Sequence, residues 1–295
     1  MTKITDTEYA QKLLDRASGL DQSDGDPRLK AVMRDFLQGI FRLVEKHDLT
    51  EDEIWHAVNY LGKSGPEFGL IIPGLGIEHF LDLVLDERDK AAGVGGGTPR
   101  TIEGPLYVEG APLSDGEAQM SDNEDEGERL TVTGVVKNEA GDIIPGAIVE
   151  VWHADTRGFY SHFDPTEQNP PYNNRRRIRV GKDGRYTARM IMPVGYSVPP
   201  DGATDNLMKA LGRHGSRPAH VHFFVDVDGY RHLTTQMNIA DDPLVNDDFA
   251  FATRDGLIPD IKRENGEAII EFNFIMVASD KGVDYRLSGR ERLVG

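Results

Sequence analysis

Two textures divide the chain. Up to about residue 97, apolar residues recur every three or four positions, the repeat of a helix with one face on a core. Asp26 and Pro27 supply a cap and a first turn, and Leu29, Val32, Met33, Phe36, Leu37, Ile40 and Val44 follow at helical spacing. Thr50 and Glu53 are spaced as a capping box for a second helix carrying Ile54, Trp55, Val58 and Leu61. A third helical stretch, 76–93, runs into the glycine-rich GVGGG at 93–97. Beyond it the period shortens. LTVTGVV (130–136), AIVEVWH (147–153), GRYTARMIM (184–192), AHVHFFVDV (219–227), HLTTQMNI (232–239) and AIIEFNFIMV (268–277) read as strands, separated by Gly, Asn and Asp turns. One helix is predicted among them, over 203–212. Several strands without intervening helices predict a β-sandwich. The expected class is α+β, mainly β: a helical N-terminal domain over 1–97 and a β-sandwich domain over 98–295.

Composition narrows the chemistry. The 295 residues include no cysteine, so any metal must rest on His, Asp, Glu or Tyr. With 33 basic against 50 acidic residues the net charge is -17, a surface that repels phosphate backbones, and nucleic acid is not an expected partner. Part of the excess lies in SDGEAQMSDNEDEGE (114–128), which predicts a solvated surface loop. No apolar run reaches the roughly 18 residues that span a bilayer, so no membrane insertion is expected. The N-terminus lacks an apolar signal core, which predicts a cytoplasmic protein.

The stretch RPAHVHFFV (217–225) holds two candidate metal ligands. In an extended strand His220 and His222 share a face. An HxH pair arises readily by chance, but a buried imidazole needs a partner for each ring nitrogen, and one metal can serve both rings. Spacing leaves the metal open. An Fe(II) site with two histidines needs a carboxylate, and the nearest acid on that face is Asp226, at the strand's end. Zinc would take a third histidine or a carboxylate, and His214 lies in a GRHG turn. Tyr160 and Tyr196 each follow a strand end, where functional side chains gather, yet either fits an ordinary amphipathic tyrosine.

Longer stretches carry more. TPRTIEGPLYVEGAP (98–112), VEVWHADTRGFYSHFD (149–164), RIRVGKDGRY (177–186), PVGYSVPPDG (193–202), LGRHGSRPAHVHFF (211–224), LTTQMN (233–238) and DDFAFATRDGL (247–257) resemble the intradiol ring-cleavage dioxygenases, most closely the catechol-cleaving members. The resemblance spans nearly the whole chain, with GLGIEHFLDL (74–83) matching inside the helical part. It implies that the helical domain is a linker and dimerisation domain and the sandwich a catalytic one. It also implies that Tyr160, Tyr196, His220 and His222 hold one non-haem Fe(III) per chain. Two anionic phenolates suit a hard, highly charged ion in a buried site. The implied reaction cleaves catechol with O2 to cis,cis-muconate, in the breakdown of aromatic compounds. Tyr196 would leave the iron and act as a base, and Arg217 would stabilise charge on the reacting ring. Gln236 matches a polar position behind the ligands, and Ser161, beside Tyr160, reads as scaffold. Leu70, Pro73, Ile102, Pro105 and Ala250 would wall a flat, uncharged slot, which argues against a carboxylated ring. A homodimer through the N-terminal helices, with a phospholipid held between them, is implied as well. The alternatives are the same chemistry on chlorocatechol or hydroxyquinol, or a non-catalytic sandwich that binds without reacting. All five of Tyr160, Tyr196, His220, His222 and Arg217 are present, which favours catalysis.

Overall fold

The computed structural model describes residues 3–121, 126–278 and 293–294. Positions 122–125 of the acidic stretch, and most of the tail after Val277, lie outside the described residues. The chain separates into two compact units, Met1–Gly65 and Pro66–Gly295.

The first unit holds helices α1 (Glu8–Ala17), α2 (Pro27–His47) and α3 (Glu51–Ser64). Their starts follow the cap residues. The Asp26 carboxylate accepts from the Arg28 and Leu29 amides, with Pro27 at the first helical position. Thr50 and Glu53 close a reciprocal capping box. Arg34 ties α2 to α1, its Nε 2.6 Å from Asp15 Oδ1 and its Nη2 2.7 Å from Gln11 Oε1. No side chain of α2 is buried, and Leu29, Val32, Phe36, Ile40 and Leu43 stay exposed along it.

The second unit adds α4 (Phe68–Gly74), α5 (Ile77–Ala91) and α6 (Ala203–Ala210). Helices α4 and α5 share the helical texture of the first hundred residues but belong to this second unit. Ion pairs explain why for α5: Asp86 meets Arg100 at 2.8 Å and Arg254 at 2.6 Å, and Asp89 takes Arg100 and Arg231.

The strands are β1 (Val108–Glu109), β2 (Leu113–Asp115), β3 (Glu117–Gln119), β4 (Arg129–Asn138), β5 (Ile148–His153), β6 (Arg175–Arg179) and β7 (Arg185–Ile191). They continue as β8 (Tyr196–Ser197), β9 (Ser216–Arg217), β10 (His220–Asp226), β11 (Leu233–Asn238), β12 (Ile261–Glu264), β13 (Glu267–Glu271), β14 (Phe274–Met276) and β15 (Leu293–Val294). One sheet runs β11-β10-β5-β6-β2 and the other β12-β13-β4-β7-β3, with β14 also pairing β4. The α+β, mainly β class is therefore observed, as a sandwich. Val149 and Val151 of β5 and Val221, Phe223 and Val225 of β10 share one core with Leu130, Val132 and Val136 of β4 and Tyr186, Ala188 and Met190 of β7. Alternation then sends His220, His222 and Phe224 to the opposite face of β10. That face carries the site.

Two local expectations change. Part of the acidic stretch is not loop: β2 and β3 lie inside 113–119, parallel to β6 and β7 at the edges of the two sheets. Gly116, at φ +71, turns the chain from one sheet to the other, and exposed acids on edge strands discourage pairing with another chain. The run 268–277 is two strands, β13 and β14, each parallel to β4. Between them Asn273 Oδ1 accepts from the Val135 amide at 2.7 Å. Gly134 permits this close approach, since a Cβ there would stand 1.9 Å from the Phe272 carbonyl oxygen. Among the described residues no single helix is long and apolar enough to cross a membrane.

Candidate metal centre and substrate slot

Strand β10 lies between β11 and β5, so its outward side chains are flanked on both sides. His222 stands in register with Gln236 on β11 and Trp152 on β5. The Trp152 and His222 rings stack 4.9 Å apart at an interplanar angle of 3°, which sets the imidazole plane. The Pro218 carbonyl accepts from His220 Nδ1 at 2.7 Å, leaving the Nε2 lone pair of the neutral ring for the site. Burial, reinforced by Arg217, pushes His220 down to about 3. Burial and the neighbouring His220 push His222 well down too. Both rings are neutral and ligand-ready.

Tyr160 arrives from the long connection between β5 and β6. That segment is knitted by charge: Arg157 Nη2 donates to Asp155 at 2.6 Å and to Asp164 at 2.9 Å. Asp155 Oδ1 accepts from the Arg157 and Phe159 amides as well. Burial would raise the Asp155 carboxyl, but bonds from Phe159, Asn169 and Arg157 outweigh it and hold it below the usual range. This carboxylate, held toward its ionised form, thus stiffens the turn that presents Tyr160. The phenol oxygen lies 3.3 Å from His220 Nε2, and the Tyr160 ring meets that of Tyr196 edge-on at 5.6 Å.

Tyr196 comes from β8, which pairs with β9 so that Tyr196 stands in register with Arg217. The Tyr196 and His220 ring centroids are 5.6 Å apart. Arg217 is buried and fully engaged. Its Nε and Nη2 donate to Asp248, the closest contact 2.9 Å, and Nη2 also donates to Gln236 Oε1 at 2.9 Å. Its Nη1 stands 2.9 Å from His220 Nε2. Burial acts to lower the guanidinium, but Asp248 and the two tyrosines hold it above its usual value, so it stays a cation. Gln236 in turn donates to Asn238 Oδ1 at 2.9 Å.

The donor set fits a hard, highly charged metal ion. His220 Nε2 is the meeting point of His222 Nε2 at 3.0 Å, Arg217 Nη1 at 2.9 Å and the Tyr160 oxygen at 3.3 Å. One nitrogen lone pair cannot serve three donors, and His222 Nδ1 has no hydrogen-bond partner among the described residues. Burial, with Tyr196 adjacent, pushes the Tyr160 phenol well above its ordinary value; Arg217 and Arg175 oppose this. A bound cation would supply what such a phenol needs to ionise. No three His, Asp or Glu side chains converge among the described residues, and the oxygen nearest the two histidines is the Tyr160 phenol, as the resemblance implies. The rival third ligands are committed elsewhere: Asp226 Oδ1 to His232 Nδ1 at 2.7 Å, and His214 Nε2 to Asp247 at 3.2 Å.

A narrow crevice of about 20 Å³ abuts the cluster, bounded by Tyr196, Arg217 and His222. Leu70, Pro73, Ile102, Pro105 and Ala250 all line it. Long-range contacts set these walls. Arg213 donates to the Gly74 carbonyl at the end of α4 and to the Phe249 carbonyl beside Ala250. The Ala250 amide donates to Asp248 Oδ1, so the carboxylate that holds Arg217 also fixes a wall. Sequence reasoning missed Asp248, Phe249 and the buried Glu103, which also line or support the crevice. Asp248 stood in the quoted DDFAFATRDGL stretch, but an acid in a chain with 50 of them carries no signal of its own.

Behind His222 the aromatic stack continues. Tyr107 meets Trp152 edge-on at 5.1 Å, and its hydroxyl donates to Glu150 Oε1 at 3.1 Å. Burial lifts the Glu150 carboxyl from 4.5 to about 7, although Tyr107 and Arg177 pull the other way. The fold therefore favours the protonated acid. Its contribution to stability is complete below about pH 4.5 and is lost as pH rises through 7. The stability of the wild type minus that of Glu150→Gln is expected to fall by up to about 3 kcal/mol between pH 4 and 8. Urea unfolding of both proteins at several pH values measures it, and parallel curves would contradict the assignment.

Comparison with known proteins shows the family. The family model described as catechol dioxygenase N terminus matches residues 26–93, and the one described as dioxygenase matches 102–279. The catechol 1,2-dioxygenase of Acinetobacter baylyi is 46% identical over 306 residues, covering 99% of this chain and 98% of that protein. Catechol 1,2-dioxygenase 2 of Acinetobacter lwoffii is 51% identical over 265 residues, covering 89% and 94%. The solved structure of the mercury-inhibited catechol 1,2-dioxygenase from Acinetobacter sp. ADP1 superposes with a TM-score of 0.95 at 44% identity, covering 100% of both chains. Relatives named for hydroxyquinol or chlorocatechol stand lower, at 32–33% identity. The chain belongs to the intradiol ring-cleavage dioxygenases, a family of non-haem iron enzymes. Within that family it lies close to the catechol 1,2-dioxygenases, and it is an enzyme.

Proposed function

We propose that this enzyme cleaves catechol between its two hydroxylated carbons, placing both atoms of O2 in cis,cis-muconate. One Fe(III) per chain would be held by Tyr160, Tyr196, His220 and His222. The observation that carries the reading is the convergence of the Tyr160 oxygen and the two histidine Nε2 atoms beside the apolar crevice. Iron, when bound, would supply a Lewis-acidic centre for both catechol oxygens and activate the ring toward O2.

The chain's own residues do the rest. The crevice opens beside Tyr196, Arg217 and His222, so a ring bound there would lie against them. Tyr196, on a two-residue strand and partly exposed, lines the crevice, where its phenol oxygen would be placed to exchange a proton with one catechol hydroxyl. Tyr160, anchored by the Asp155–Arg157–Asp164 framework, stays in place. Arg217, held by Asp248 and Gln236, presents a fixed positive charge to the ring as negative charge grows on carbon. Leu70, Pro73, Ile102 and Ala250 exclude water and hold the ring flat.

The same walls set the substrate class. Methyl groups cost little in an apolar slot, whereas Leu70, Pro73, Ile102, Pro105 and Ala250 offer no partner to a ring carboxylate. Catechol is expected to turn over fastest in an ultraviolet assay of muconate formation. Methylcatechols should follow within about 10–200-fold, the discrimination one methyl group supports. Protocatechuate turning over as fast as catechol would contradict this reading of the slot.

The assembly and setting follow the same line. The exposed apolar stripe of α2 supports a homodimer formed through the N-terminal helices, with a phospholipid able to fill apolar space between them. On this reading residues 1–97 act as the linker and dimerisation domain and 98–295 as the catalytic domain. The enzyme would work in the cytoplasm, in the breakdown of aromatic compounds.

A further inference from the structure

Strand β6 reads RRRIR, and its first residue is the unusual one. Arg175 is 1% exposed, among the largest side chains buried in the protein. Its Nε donates to Ser161 Oγ at 2.8 Å and its Nη2 to the Ser161 carbonyl at 3.1 Å. Its Nη1 meets no acceptor among the described residues. The guanidinium carbon lies 5.7 Å from the centroid of the Tyr160 ring and 6.0 Å from that of Phe163. Arg217, by contrast, has a carboxylate. No ion pair is formed by Arg175 among the described residues, and Glu150, which acts on it from further off, is itself kept about half protonated near neutrality.

A buried cation without a counter-charge is costly, and proteins place one only where an anion completes it. The anion within reach is the phenolate of Tyr160. The ring faces the guanidinium, and Ser161, next in sequence, holds that guanidinium with two hydrogen bonds. We propose that Arg175 is a positioning residue for the metal centre. Its guanidinium, tethered by Ser161, balances the charge of the Tyr160 phenolate and sets how strongly that oxygen donates to the iron. This rests on the reading of Tyr160 as an iron ligand. Ser161, expected from sequence to be scaffold, becomes the tether.

The visible spectrum of the iron-loaded protein tests it. Moving an electron from the Tyr160 phenolate to iron leaves the ring neutral, so a nearby cation stabilises the starting state more than the excited one. Removing that cation lowers the transition energy. The phenolate band in Arg175→Gln is expected to move to longer wavelength by on the order of tens of nanometres, and the iron potential to fall. Arg175→Lys keeps the charge and should keep the band near its wild-type position. Ser161→Ala, a small change that leaves Arg175 in place, should shift the band in the same direction by less. If Arg175→Gln does not fold, Ser161→Ala decides alone. A band that disappears or weakens in Tyr160→Phe but does not move in Arg175→Gln or Ser161→Ala would overturn this proposal and leave the ligand assignment standing. A band indifferent to Tyr160→Phe would overturn the ligand assignment itself.

Discussion

Tyr160→Phe is expected to lower ring cleavage by about a thousandfold or more while the protein still folds. The substitution removes one oxygen. The ring can keep its edge-on contact with Tyr196 and its place in the cluster with Tyr107, Trp152 and Phe224. The hydroxyl meets His220 Nε2 at a long 3.3 Å and hydrogen-bonds with Tyr196, so its loss costs these two contacts and little packing. What disappears is the anionic donor proposed to stay on the iron throughout the reaction. Muconate formation at saturating catechol and O2 reads the activity, and thermal unfolding reads the fold. Activity within about tenfold of wild type would show that Tyr160 is not a ligand.

Arg217→Met should be the next most damaging change, and it acts twice. Removing the guanidinium leaves Asp248 buried without its partner, a situation that destabilises proteins by about 3–5 kcal/mol. It also removes the charge proposed to face the reacting ring, an effect worth about 10²–10³ in kcat when a comparable donor is lost elsewhere. The two can be separated. Arg217→Met combined with Asp248→Asn removes the unpaired charge and is expected to recover much of the stability but none of the activity. Arg217→Lys cannot reproduce contacts to Asp248, Gln236 and the ligand cluster at once, so it should rescue poorly. Recovery of turnover in the double variant would mean that Arg217 matters only as a partner for Asp248.

How much was legible beforehand depended on whether a signal was local. The starts of α2 and α3 were readable because Asp26, Thr50 and Glu53 cap within one turn. Strand β10 was readable because alternation put Val221, Phe223 and Val225 in the core and the two histidines opposite. Strand β6 was not predicted from pattern: four arginines in five residues look solvated, yet Arg175 is buried against the tyrosine cluster. Position in the fold overrode composition there. The proposed metal ligands could not be found by spacing either. Residues 160 and 196 come from a long connection and from a two-residue strand, and only the topology brings them to β10. Local reasoning offered Asp226 and His214 instead, and each turned out to serve another partner. The proposed ligand set therefore rests on the resemblance of whole stretches together with the proximity of these side chains in the fold. Asp248 escaped both routes because its role exists only through contacts the fold creates, with the Arg217 side chain and the Ala250 amide.

The central claim, an Fe(III) centre with tyrosinate ligands, is tested most directly by the absorption spectrum of the purified iron-loaded protein with its metal content. One iron per chain is expected, with a broad visible band from phenolate-to-iron charge transfer that changes when catechol is added without oxygen. A colourless protein carrying stoichiometric zinc, or iron with no visible band, would contradict it.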